Sequence, residues 1–206
     1  MAKLESSFKN MVLSLLGITF VASAALGLVN SATKPAIEKA EIKQKSEAIA
    51  AVLPKFDKLG KEYQAMPKDG ADCVEVFPAL NASGEVIANA VKTYSYSGFS
   101  GYVEIMVGFD KEGNISGYQV LKHAETPGLG SKMGEWFSNE SKAKQNVIGR
   151  SLKEGQLKVS KDGGQVDAIT AATITSRAFL ESINRAYSVL NEQFDGVTSA
   201  TKHEGE

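Results

Sequence analysis

From Asn10 to Thr33 the chain carries no charge for 24 consecutive positions, and Lys9 and Lys34 bound the run. Inside it, Met11 to Val29 is almost wholly apolar. A helix spans a bilayer with about 20 such residues, so this stretch predicts a membrane-spanning helix. A cleaved signal peptide is the rival, because Ala22-Ser-Ala24 resembles a cleavage site. The apolar run continues past that site and exceeds a usual signal core, which favours a retained anchor in the lipid bilayer. Lysines do not orient it: Lys3 and Lys9 precede the span, while Lys34, Lys39, Lys43 and Lys45 follow.

The rest is long enough for one globular domain. Net charge is −1, with Lys and Arg spread along the chain, which argues against nucleic-acid binding. One cysteine, Cys73, excludes an internal disulfide framework and a cysteine-based cluster or zinc site. His123 and His203 are the two histidines, too few for a dedicated metal centre, so no metal ligands are assigned. Pro35 marks a break, and Ala36 to Val52 reads as a charged stalk helix ending at Leu53-Pro54. Lys55 to Gly70 reads as loop.

Beyond it the period changes to that of strands. Cys73 to Leu80 and Glu85 to Val91 flank the turn signal Asn81-Ala-Ser-Gly84. In Tyr102 to Phe109, Val103, Ile105, Val107 and Phe109 share one face and Tyr102, Glu104 and Met106 the other. Asp110-Lys-Glu-Gly113 turns the chain into a return strand, Ile115 to Leu121. A short helical segment is expected over Met133 to Asn139, and two short strands at Leu157 to Ser160 and Gln165 to Ile169. Arg177 to Leu190 reads as an amphipathic helix, with Phe179, Ile183, Ala186, Leu190 and Phe194 on its apolar face. The fold class expected is α+β: an N-terminal transmembrane helix, a stalk helix, and a twisted, mainly antiparallel sheet with flanking helices.

Two polar stretches stand out. Thr170-Ala-Ala-Thr-Ile-Thr-Ser176 crowds Thr170, Thr173, Thr175 and Ser176 at the start of that helix. A helix N-terminus suits an anion, above all a phosphate, although Ser and Thr there are also ordinary caps. The second stretch, Lys122-His-Ala-Glu-Thr-Pro-Gly-Leu-Gly-Ser-Lys132, follows a strand and is either a ligand loop or a solvated turn.

Taken together, His-x-Glu-Thr-Pro-Gly-Leu-Gly (123–130) and Asp-x-x-Thr-x-Ala-Thr-x-Thr-Ser (167–176) resemble the FMN-binding domain of the G subunit of the Rnf complex, the ion-translocating ferredoxin:NAD oxidoreductase. The C subunit of the sodium-pumping NADH:quinone reductase shares that domain. The resemblance implies FMN joined through its phosphate to Thr173 by a separate flavin transferase. Asp167 would be read by that transferase. The His123–Gly130 loop would cover the flavin, with His123, Glu125, Thr126, Gly128, Leu129, Gly130, Thr170, Thr175 and Ser176 around it. Leu129 would pack on the ring, and Thr126 and the amides near Gly128 would bond its polar edge. No catalytic acid, base or nucleophile is implied: the chain would be a redox subunit without independent turnover. Its partners would be other subunits of the complex, on the extracytoplasmic side of the inner (cytoplasmic) membrane. Ala171 departs from the glycine usual in the family. Two alternatives stay open: the quinone-reductase subunit, which shares the domain, and a flavin-free, membrane-anchored assembly subunit, which Ala171 alone favours. The implied division is a short segment 1–9, anchor 10–33, stalk and linker 34–70, FMN-binding domain 71–194 and a flexible tail 195–206.

Overall fold

The computed structural model describes residues 7–69, 72–153 and 155–200, with side chains described through Asn191. It divides into two compact units, Met1–Gln44 and Lys45–Glu206. The described part of the first unit is the beginning of helix α1, Phe8–Val52. Leu13, Leu16, Ile18, Phe20, Leu26 and Leu28 all face outward there. The helix is long and apolar enough to cross a membrane. The break expected at Pro35 does not occur: Pro35 lies inside α1, and the stalk read over Ala36 to Val52 continues the same helix. Proline removes one backbone donor, and the Ala, Glu, Lys and Ile around it are adequate helix formers.

In the second unit the strands are β1 (Lys58–Leu59), β2 (Tyr63–Ala65), β3 (Val74–Leu80), β4 (Val86–Gly98), β5 (Gly101–Asp110) and β6 (Ile115–His123). All pair antiparallel, in the order β1-β3-β4-β5-β6, with β2 also on β3. The turn at Asn81–Gly84 forms as its residues predict, with Asn81 Oδ1 accepting from the Glu85 amide. The stretch from Lys55 to Gly70, expected to be loop, supplies β1 and β2 as edge pairings.

Strand periodicity sorts the core onto two faces. Val76, Val91, Val103, Ile105, Val107 and Phe109 pack with Phe179, Leu180, Ile183, Ala186 and Leu190 of α3, Thr173–Ala200. Opposite, Phe77, Ala79, Ala88, Ala90 and Met106 pack against Ala48, Ile49 and Val52 at the end of α1. Met106 is therefore buried although it shares the face of Glu104. Polar contacts fix α3 across β4: Thr93 Oγ1 donates to Ser182 O at 3.0 Å, and the Arg185 guanidinium donates to Tyr94 O while also bonding Glu181 of its own helix at 2.7 Å.

The helix read near Met133 shortens to α2, Met133–Trp136, after a 3-10 turn at Gly130–Lys132. The two strands read at Leu157–Ser160 and Gln165–Ile169 do not form. One parallel bridge, Val159 to Val166, joins them around a 3-10 turn, Ser160–Asp162. Beyond that bridge their backbones bond other segments: the Leu157 amide donates to Asn184 Oδ1, the Asp167 amide to Lys144 O, and Trp136 Nε1 donates to Asp167 O. Phe194 and the tail from 201 lie outside the described side chains and residues.

Candidate functional site

Three segments far apart in sequence meet at one end of the sheet. They are the β4–β5 tip, the loop after β6, and the start of α3. Between them is a cleft of about 320 Å³, within the usual range for a small-molecule site. Phe99, Glu125, Thr126, Leu129, Gly130 and residues 171–175 line it.

The floor is built on Glu125, which is buried. Thr175 Oγ1 donates to its Oε2 at 2.6 Å, and the Ser100 amide donates to its Oε1 at 3.0 Å. One carboxylate thus ties the loop to both the helix and the hairpin tip. Room for it depends on Gly130, where a Cβ would lie 2.5 Å from Oε2 and 2.7 Å from Thr175 Oγ1. Gly98 gives way on the other side, where a Cβ would lie 2.7 Å from Oε1.

The loop is a tight turn. Leu129 N donates to Thr126 O at 3.2 Å, with Pro127 and Gly128 at its centre. Gly128 has φ of +77°, the pattern of a type II turn with Pro then Gly. Its amide donates to Ser131 Oγ at 2.9 Å. The amides read as donors to a ring edge are thus engaged inside the loop. His123 is exposed and bonds back to the loop, its Nδ1 accepting from the Glu125 amide at 3.1 Å.

At the third segment α3 begins at Thr173, four residues before the helix read from periodicity, so this hydroxyl sits in the first turn. Thr173 is half-buried on the cleft wall, and Lys161 Nζ donates to its Oγ1 at 3.1 Å. Ser176 is buried and acts as a local staple, accepting from the Ile169 amide and donating to Ala172 O, each at 2.9 Å. Ala171 holds φ of +62°, a left-handed conformation costly for any residue with a Cβ. The alanine has not forced a negative φ; the backbone keeps the shape that glycine would adopt there.

The structure therefore brings Glu125, Thr126, Leu129, Gly130, Thr173 and Thr175 to one cleft, whereas His123, Gly128, Thr170 and Ser176 do not line it. Phe99, Ile174 and Lys161 were not read from the sequence. Phe99 is signalled by position, an exposed aromatic in the four-residue tip Gly98–Gly101. Lys161 carries no such signal, because its approach to Thr173 depends on how the 158–167 segment folds.

An FMN-binding domain model matches residues 98–188, the stretch that contains all three segments. The G subunit of the ion-translocating oxidoreductase complex of Shewanella amazonensis is 32% identical over 187 residues, covering 88% of this chain and 86% of that protein. The chain belongs to the family of G subunits of ion-translocating oxidoreductase complexes. Within that family, the G subunit of the Na(+)-translocating ferredoxin:NAD(+) oxidoreductase complex of Acetobacterium woodii is 32% identical over 189 residues, covering 84% of this chain and 86% of its own. Among solved structures, NqrC of Shewanella oneidensis aligns at 22% identity and a TM-score of 0.48 over 73% of each chain. Membership of this family and the apolar N-terminal helix together make this a membrane-anchored, FMN-binding protein.

Proposed function

We propose that this chain is the electron-relay subunit of a membrane-bound ferredoxin:NAD oxidoreductase complex, carrying FMN linked through its phosphate to Thr173 Oγ1. The observation that carries this reading is the position of Thr173, a half-buried residue whose hydroxyl lies on the wall of a cleft that also presents the apolar side chains Phe99, Leu129 and Ile174. Bound FMN supplies reversible electron acceptance and donation. Everything else falls to the chain. Phe99, Leu129 and Ile174 offer exposed apolar surface suited to a flat aromatic ring. Glu125, with Thr175 and the Ser100 amide, holds together the two loops that would flank the ring. A tethered cofactor stays in place through repeated turnovers, which suits a relay. No proton-abstracting group is needed, and no independent turnover is expected.

The same reading gives the chain its layout: residues 10–33 as the anchor in the lipid bilayer, 34–70 as stalk and linker, and 71–194 as the flavin domain, on the extracytoplasmic side of the inner membrane. Other subunits of the complex supply electron entry, exit and ion movement. The flavin-free alternative drew on Ala171, and the left-handed backbone kept there leaves it without that support.

The test is intact mass together with in-gel flavin fluorescence after denaturation, for the wild type and Thr173→Ala, each made with an active flavin transferase, FAD and magnesium. The expected result is fluorescence and a mass gain of one FMN less one water in the wild type, both lost in the variant. An adduct that persists in Thr173→Ala moves the link to another hydroxyl. A wild type without adduct refutes the covalent reading.

A further inference from the structure

Each residue of the Ser160–Asp162 turn bonds the segment around Thr173. Ser160 Oγ donates to Asp167 Oδ1 at 2.6 Å, Lys161 Nζ donates to Thr173 Oγ1 at 3.1 Å, and Asp162 accepts two bonds from Arg177, each 2.7 Å. The outer two contacts fasten the turn on either side of Thr173, and the middle one delivers a positive charge to its hydroxyl. The charges differ in how they are matched. Arg177 is paired bidentately with Asp162, whose carboxyl it holds below the ordinary range. Lys161 gives its ammonium to a neutral oxygen.

We propose that Lys161 is the counter-ion of the phosphodiester at Thr173, and that the Ser160–Asp162 turn exists to hold it there. This inference rests on Thr173 being the flavin acceptor. In the transfer the Thr173 Oγ1–P bond forms as the pyrophosphate P–O bond of FAD breaks. AMP leaves, and the hydroxyl proton passes to a base of the transferase. The diester that results keeps one negative charge within reach of the ammonium. A charge-assisted hydrogen bond of that kind is about twice as strong as a neutral one. It would favour a phosphorylated flavin over an uncharged one and stabilise the linked product.

The experiment compares full-length wild type with Lys161→Met, Lys161→Gln and Lys161→Arg, using initial rates of adduct formation by intact mass with FAD, magnesium and flavin transferase. Thermal melts run in parallel. Lys161 is exposed, so all four proteins are expected to melt alike. Slowing by about tenfold in the Met and Gln variants, with Arg restoring most of the rate, is the expected result. Wild-type rates in all three variants overturn it. So does a Gln variant as fast as the wild type, since a neutral donor would then suffice. A wild type that gains no adduct overturns the Thr173 assignment, and this inference with it.

Discussion

Thr175 Oγ1 donates to Glu125 Oε2 across 2.6 Å, and this contact joins the first turn of α3 to the loop after β6. The same carboxylate accepts from the Ser100 amide, so three segments depend on one buried side chain. Truncation leaves a hydroxyl and an amide without their acceptor inside the protein. Glu125→Ala is expected to cost about 2–3 kcal/mol in urea unfolding, while Glu125→Gln, which keeps one acceptor, is expected to cost about 1 kcal/mol. Equal losses in the two variants would mean that packing, and not the hydrogen bonds, holds the loops.

The glycine facing that carboxylate is constrained by space rather than by backbone angle. Gly130→Ala puts a methyl 2.5 Å from Glu125 Oε2, so the loop or the carboxylate has to move. Gly134 has nothing within 4 Å of its missing Cβ and serves as the control. Urea midpoints are expected to fall for Gly130→Ala by a shift worth about 1–3 kcal/mol, and to hold or rise for Gly134→Ala.

Ala171 presents the opposite case, a side chain where glycine fits better. A left-handed φ costs a residue with a Cβ about 1–2 kcal/mol. Glycine recovers that but loses up to about 1 kcal/mol through the freer unfolded chain. Ala171→Gly is therefore expected to stabilise the domain by about 0.5–1 kcal/mol in chemical denaturation. A loss of stability would mean that the conformation at 171 is not the strained one.

Residue patterns convey the local part of this fold and little of the rest. Alternation in Tyr102–Phe109 and the turn signals at Asn81–Gly84 and Asp110–Gly113 express local periodicity, and they identify the central strands. Helical spacing of Phe179, Ile183, Ala186 and Leu190 identifies α3, but the four residues before Arg177 have no apolar stripe to announce them. Leu157–Ser160 and Gln165–Ile169 look like strands because they are short and apolar. They pair at a single bridge, and other backbone groups bond Asn184, Lys144 and Trp136, partners that only the tertiary fold brings near. At the site, Glu125 and Thr175 were legible as members of polar motifs. Their contact was not, since it spans 50 positions, and neither were the positions of Lys161 and Phe99 beside the cleft.

A charge network on the sheet predicts a pH dependence. Glu75 accepts from Lys45 at 2.7 Å and from Lys92 at 3.2 Å. Partial burial pushes its carboxyl up, but the hydrogen bonds and charges of the two lysines outweigh that and leave it below its ordinary value of 4.5. A depressed carboxyl stabilises the fold above its unfolded value, and that contribution is lost as pH falls through the folded one. Glu75→Gln is expected to lower the melting temperature at pH 7, with the difference from the wild type shrinking as the pH falls below 4.5. A gap that does not shrink with falling pH would point to lost packing instead of lost charge.

Phe99 separates the cleft's ligand contacts from its stability. Its side chain is 68% exposed, so the folded domain gains little from it, and Phe99→Ala is expected to shift unfolding by no more than about 0.5 kcal/mol. If FMN is held at Thr173 as proposed, the same ring would shield one side of the cofactor from water. Removing it should therefore raise the rate at which iodide quenches flavin fluorescence, with the covalent adduct still formed at Thr173. Leu129→Ala, on the facing loop and 41% exposed, should act in the same direction. If quenching is unchanged in both variants, the flavin ring lies outside the space between the hairpin tip and the loop. Thr173 could still be the point of attachment, but the apolar rim would then be left facing something other than the cofactor.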